Sequence, residues 1–147
     1  MDSIVQLEDV QKDFPLGNLT VRALRGVSLR LQGGEFIAIA GPSGSGKTTL
    51  LNMVGCVDVP TGGHVLIDGE NTRDLDERAL TALRLHKLGF IFQSFNLVGV
   101  LTAAQNVELP LLLKGGLSRS ERQERVDEIL EKVGLADQKP QRPNELS

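Results

Sequence analysis

The chain has a single cysteine, Cys56, so no disulfide can close within its 147 residues, and nothing ties it to an oxidising compartment. Cys56 continues an apolar helical pattern and is expected in the core. Long apolar runs are also missing. The longest, Phe36 to Ala40 and Leu109 to Leu113, fall far short of the roughly 20 residues that span a bilayer. The first thirty residues carry Asp2, Glu8, Asp9 and Asp13 without an apolar stretch, which excludes an ordinary signal peptide. There is no basic excess. A net charge of −3 argues against a nucleic-acid partner, and Arg22, Arg25 and Arg30 are read as solvated surface. Internal repeats and low-complexity tracts are absent. What is present, 40% hydrophobic and 24% charged residues, suits one soluble globular core, expected in the cytoplasm.

The pattern of apolar residues predicts a mixed α/β chain. Ile4 to Val10 reads as a strand in which Ile4, Leu7 and Val10 are apolar. Val21 to Leu31 places Val27, Leu29 and Leu31 against Ser28 and Arg30, the alternation of a half-buried strand. Glu35 to Ala40 is a continuous apolar run, as in a strand covered on both faces. Lys47 to Cys56 has helical spacing through Leu50, Leu51, Met53 and Val54. His64 to Asp68, between Gly62-Gly63 and Gly69, reads as turn, strand, turn. Asp74 or Asp76 is a candidate cap for a helix containing Ala79, Leu80 and Leu83, and Leu88 to Phe92 is a further strand. Thr102 with Gln105, and Ser118 with Glu121, have the spacing of capping boxes. Pro110 is expected to interrupt or kink the first of these two helices. Val126, Ile129, Leu130 and Val133 form an apolar stripe on the second, which Gly134 stops. Lys139 to Asn144 is expected to be irregular.

Between the run at 35–40 and the helix at 47 stands Gly41-Pro42-Ser43-Gly44-Ser45-Gly46-Lys47-Thr48-Thr49. Gly41, Gly46, Lys47 and Thr48 satisfy G-x-x-x-x-G-K-[ST], in the strand–loop–helix context that this phosphate-binding pattern requires. A polyphosphate needs many donors close to its oxygens. Backbone amides provide them where no side chain obstructs, hence Gly41, Gly44 and Gly46, and glycine permits the positive φ that turns successive amides inward. The helix start adds its positive dipole end. Lys47 places a charge between the outer phosphates, and the Thr48 hydroxyl is the expected Mg²⁺ ligand. The glycine spacing does not fit the dinucleotide fingerprint. The N-K-x-D and D-x-x-G strings of GTPases do not occur, whereas a small-molecule kinase is compatible with the loop alone. Val65-Leu66-Ile67-Asp68 looks like a Walker B strand, but its flanking glycines favour a short hairpin with a turn aspartate.

Six segments in order carry a resemblance: L-R-G-V-S-L (24–29), the loop with its following L-L-N (41–52), P-T-G-G-H-V-L-I-D-G (60–69), L-G-F-I-F-Q-S-F-N-L (88–97), L-T-A-A-Q-N-V-E-L-P-L-L (101–112) and R-P-N-E-L-S (142–147). Together they resemble the nucleotide-binding domain of ABC transporters from about Ile4 to Ser147. The phrases around Phe92 and Glu108 look most like the lipoprotein-releasing and macrolide-export ATPases.

That resemblance implies a P-loop NTPase core with an N-terminal antiparallel β portion and the beginning of a helical subdomain, an incomplete domain over 1–147 with a β-rich nucleotide-binding part (1–93) and a mostly helical part (94–147). It implies ATP and Mg²⁺ as ligands, with Phe14 stacking on adenine. Gln93 matches the catalytic glutamine that reaches Mg²⁺ and the attacking water, and Phe92, Phe95 and Leu97 would lie near a surface that answers to a membrane permease subunit. The complete protein would form a homodimer at the inner face of the cell membrane. Leu146-Ser147 match the start of the L-S-G-G-Q signature. The Walker B aspartate, catalytic glutamate and switch histidine follow that motif in the family, and His64 and His86 stand too early for the last of these. The expectation is that these residues bind ATP without hydrolysing it at the family's rate. A short non-catalytic module that binds ATP or the membrane partner is the alternative, and a P-loop kinase of another lineage the third possibility.

Overall fold

The computed structural model describes residues 3–146. They fall into two compact units, divided between Gly89 and Phe90.

The first unit is built on a four-stranded antiparallel sheet. Its strands are β1 (Ser3–Leu16), β2 (Leu19–Gln32), β3 (Gly62–Ile67) and β4 (Glu70–Asn71), ordered β2-β1-β3-β4. β1 buries Val5, Leu7 and Val10 and leaves the apolar Ile4 exposed. Val5 and Leu7 share the inward face by plain alternation, and Val10 joins them through an irregularity between Leu7 and Val10 in the pairing with β2, where Asp9 adopts φ +48°. A bulge of this kind shifts the inward face by one residue. Gly63 makes the bulge compatible with β3, because a Cβ there would lie 2.2 Å from the Asp9 carbonyl oxygen. On β2, Val27, Leu29 and Leu31 are half-buried while Ser28 and Arg30 are exposed, as their alternation predicts.

Two helices cover this sheet's apolar residues. α1 (Lys47–Val54) contributes Leu50 and Met53, and α2 (Glu77–Lys87) contributes Leu80 and Leu83. These join Val5, Leu7, Val10, Leu24, Cys56, Val65 and Ile67 in one core, which confirms Cys56 as a core residue. Asp76, not Asp74, caps α2 by accepting from the Ala79 amide at 2.7 Å. β3 pairs antiparallel with β1 and turns through Asp68-Gly69 into β4, so Val65 to Asp68 is a hairpin and not a Walker B strand. His64 and His86 are exposed.

Two expected strands are not formed. Residues 35–40 have no sheet pairing, and Phe36 and Ile37 are 97% and 44% exposed. An apolar run becomes a strand only when a neighbour supplies the ladder and covers its faces, and no described residue does so. Leu88 to Phe92 is unpaired for the same reason.

The second unit contains α3 (Ala103–Lys114) and α4 (Arg119–Lys132), packed on one another. Both capping boxes are formed, Thr102 with Gln105 and Ser118 with Glu121. α3 runs through Pro110 without interruption, contrary to expectation. Proline removes one amide donor there, and the capped first turn and the remaining helical bonds sustain the helix. On α4, Val126 and Leu130 are buried, whereas Ile129 and Val133 of the same stripe are exposed. Residues 139–144, expected to be irregular, are flanked and partly taken up by the 3₁₀ turns Ala136–Gln138 and Pro143–Glu145.

Candidate functional site

The nine residues from Gly41 to Thr49 form a loop closing onto the N-terminus of α1. Gly46 occupies the cap position with φ +90°, and no side chain caps the helix. The amides of Lys47, Thr48 and Thr49 therefore have no acceptor within the helix, and the first turn carries no acidic residue to compete for them. This is the donor set that an anion requires.

Gly46 is where the loop meets the sheet. A Cβ on it would lie 2.7 Å from the Ala23 carbonyl oxygen and 3.2 Å from Leu24 Cδ2. Gly44 also has positive φ, +77°, but faces open space, and a Cβ on Gly41 would lie 2.9 Å from Ser45 Oγ. Lys47 folds back over the loop. Its Nζ donates to the carbonyls of Gly41 at 2.8 Å and Pro42 at 2.7 Å, and to Ser45 Oγ at 3.3 Å. The Ser45 amide donates to the Pro42 carbonyl. The lysine thus ties the loop while keeping its charge beside the free amides.

A groove of about 310 Å³ runs along this loop. Ser43, Gly44, Lys47, Thr48 and Thr49 line one side, and Val21, Arg22 and Ala23 of β2 line the other. The β2 wall was not foreseen, and Arg22 had been read as plain surface. The register pairs Val21 with Phe14. Directly opposed residues of an antiparallel pair project from the same face, so Phe14 stands beside the groove that Val21 lines. Its ring is 40% exposed, with Lys12 Nζ 5.1 Å from the centroid.

Gln93 lies in the second unit, exposed, in a bend after Phe92. Phe90 and Phe92 stack with centroids 5.6 Å apart, and Phe95 is 91% exposed. Thr48 and Gln93 thus belong to different units. Among the described residues there is no cluster of His, Cys, Asp or Glu able to hold a metal by itself. Among the described residues, no helix is long and apolar enough to cross a membrane.

A glycine-cradled, uncapped helix start with a lysine in its first turn defines a P-loop nucleotide-binding protein. Comparison with known families is more specific: the family described as ABC transporter matches residues 24–147, and the chain belongs to it. It is 50% identical over its whole length to an ABC transporter ATP-binding protein of Thermotoga maritima, covering 62% of that protein. It is 46% identical over 98% of its length to the macrolide export ATP-binding/permease protein MacB of Hyphomonas neptunium, covering 22% of it. Among solved structures, the dimeric post-hydrolysis state of the ATP-binding cassette MJ0796 bound to ADP and Pi matches 97% of the chain and 63% of that cassette, with 47% identity and TM-score 0.90. MJ0796 is from Methanocaldococcus jannaschii. The chain therefore spans a little over three-fifths of the ATP-binding proteins it matches, and is an α/β part of an ABC transporter ATP-binding domain.

Proposed function

We propose that residues 1–147 supply the phosphate-holding part of the ATP site in an ABC transporter ATPase subunit. The whole subunit would couple ATP binding and hydrolysis to transport through a separate membrane permease, to which it docks at the cytoplasmic side of the membrane. The observation that carries this is the loop itself: free first-turn amides on α1, a groove beside them, and Lys47 poised over both. In this reading the amides and Lys47 hold the phosphates, Phe14 offers its ring to adenine, and Thr48 and Gln93 serve Mg²⁺. Threonine hydroxyl suits Mg²⁺, which takes few protein ligands and completes its shell with phosphate oxygens and water. The dimeric state of MJ0796 supports pairing of two copies. The similarity to MacB supports a place among export systems.

No carboxylate is among the described residues that line the groove. This favours the narrower reading that these residues bind ATP and that hydrolysis draws on groups elsewhere.

Calorimetry of ATP binding tests the assignment. Lys47→Ala removes a charge-assisted phosphate contact of about 1.5–3 kcal/mol, so affinity is expected to fall by roughly one to two decades. Unchanged affinity would sink the proposal. Lys47-dependent turnover by residues 1–147 alone, matching that of the intact protein, would overturn the narrower reading.

A further inference from the structure

The phosphate cradle makes no use of Lys12, yet this residue is only 8% exposed. A buried ammonium must be paired. Nζ donates to Asp58 Oδ1 at 2.6 Å and to the Val59 carbonyl at 2.9 Å, and it lies 5.1 Å from the centroid of the Phe14 ring. Asp58 is itself held in place, because the same oxygen accepts from the Val59 amide at 2.7 Å.

Tethering the segment after α1 does not by itself require this lysine. The Thr61 amide donates to the Gln11 carbonyl at 2.9 Å. The Thr61 hydroxyl donates to that carbonyl and accepts from the Asp13 amide, both at 3.1 Å. These bonds flank Lys12 on β1 and join the same two segments without it. What Lys12 alone provides is a fixed cation against Phe14. An ammonium over an aromatic ring is attracted to its π face, and a half-exposed phenyl ring held in this way enters binding with less freedom to lose.

We propose that Lys12 is a positioning residue for the nucleobase: anchored by Asp58 and Val59, its ammonium fixes the Phe14 ring as the platform on which the base of ATP stacks. This rests on the reading of Phe14 given above, and the test separates the two.

In the intact natural protein, ATP and inorganic tripolyphosphate are titrated by calorimetry against Lys12→Met, Lys12→Arg, Phe14→Leu and the Lys12→Met/Phe14→Leu pair. Lys12→Met is expected to weaken ATP about five-fold, the scale of a partly buried cation–π contact, and to leave tripolyphosphate unchanged. Lys12→Arg is expected to restore ATP affinity. On the Phe14→Leu background, Lys12→Met is expected to add nothing. If Phe14→Leu leaves ATP affinity unchanged, the stacking reading fails and the role of Lys12 falls with it. If Phe14→Leu weakens ATP but Lys12→Met does not, the positioning role is overturned while stacking stands. The role is likewise overturned if Lys12→Met adds its full effect to Phe14→Leu, or weakens tripolyphosphate equally. Should Lys12→Met fail to fold, Lys12→Met with Asp58→Asn removes the stranded carboxylate and is judged by the same outcomes.

Discussion

Gly46→Ala tests whether the cradle is held by the approach of α1 to β2. Two penalties combine. The first is conformational: φ is +90°, and a residue with a Cβ gives up about 1–2 kcal/mol in the left-handed region. The second is steric, because the new carbon would sit 2.7 Å from the Ala23 carbonyl oxygen. Relief requires backbone movement of several tenths of an ångström, because the obstacle is main chain. Together they are expected to cost about 2–4 kcal/mol, within the range for strained and overpacked sites. Gly44→Ala is the internal control. It carries a similar φ of +77° with nothing within 4 Å, so only the conformational cost of about 1–2 kcal/mol applies. Urea denaturation without nucleotide is expected to rank wild type above Gly44→Ala above Gly46→Ala. Moving the Lys47, Thr48 and Thr49 amides should also weaken ATP binding by Gly46→Ala about tenfold or more, the loss of one good hydrogen bond to a charged group. Equal denaturation midpoints for the two variants would refute the claim that contact with Ala23 sets the loop's position.

Two further outcomes are expected away from the loop. Asn106 donates from Nδ2 to the carbonyls of Val98, Leu101 and Thr102 and accepts from the Val98 amide. Asn106→Ala should cost about 1–3 kcal/mol, with the largest hydrogen-exchange increase at the Val98 amide; unchanged exchange there would contradict the anchoring. Burial pushes the Cys56 thiol pKa up, with the charge of Arg84 opposing it. A folded pKa above the unfolded value favours the neutral thiol in the native state, so stability falls as pH rises through the ordinary thiol range near 8.5. Native Cys56 should therefore react with a disulfide reagent far more slowly than unfolded chain at pH 8, and comparable rates would place it at the surface.

What could be read from the sequence was what a few neighbouring residues decide. The loop, the Asp76 cap, both capping boxes and the hairpin turn at Asp68-Gly69 depend on chemistry within about ten positions, and each is formed. What escaped depends on partners distant in the chain. The bulge at Asp9 brings Val10 onto the face that buries Val5 and Leu7, and it is legible only once Gly63 is seen beneath it. The groove wall at Val21 to Ala23 and the burial of Lys12 by Asp58 both bring together segments tens of residues apart. The apolar runs at 35–40 and 88–92 satisfied every local criterion for a strand, but pairing is a property of two segments and they have only one.

This bears on how the phosphate loop keeps its shape. The segment that leads into it, 35–40, has no ladder bonds and leaves Phe36 almost fully exposed, so within this unit it cannot position Gly41. The loop is instead set from its other end. Leu50 and Met53 bury α1 in the core, Gly46 brings the start of that helix against Ala23, and Lys47 reaches back to hold the Gly41 and Pro42 carbonyls. Lys47, the residue proposed to meet the phosphates, is thus also the one that binds the free end of the loop to its fixed end. Loss of Lys47 should consequently loosen Gly41 and Pro42 even without nucleotide. Hydrogen exchange at the Ser45 amide, which donates to the Pro42 carbonyl at 3.3 Å, is the direct measure, and an unaltered rate in Lys47→Ala would show that the loop is held without it.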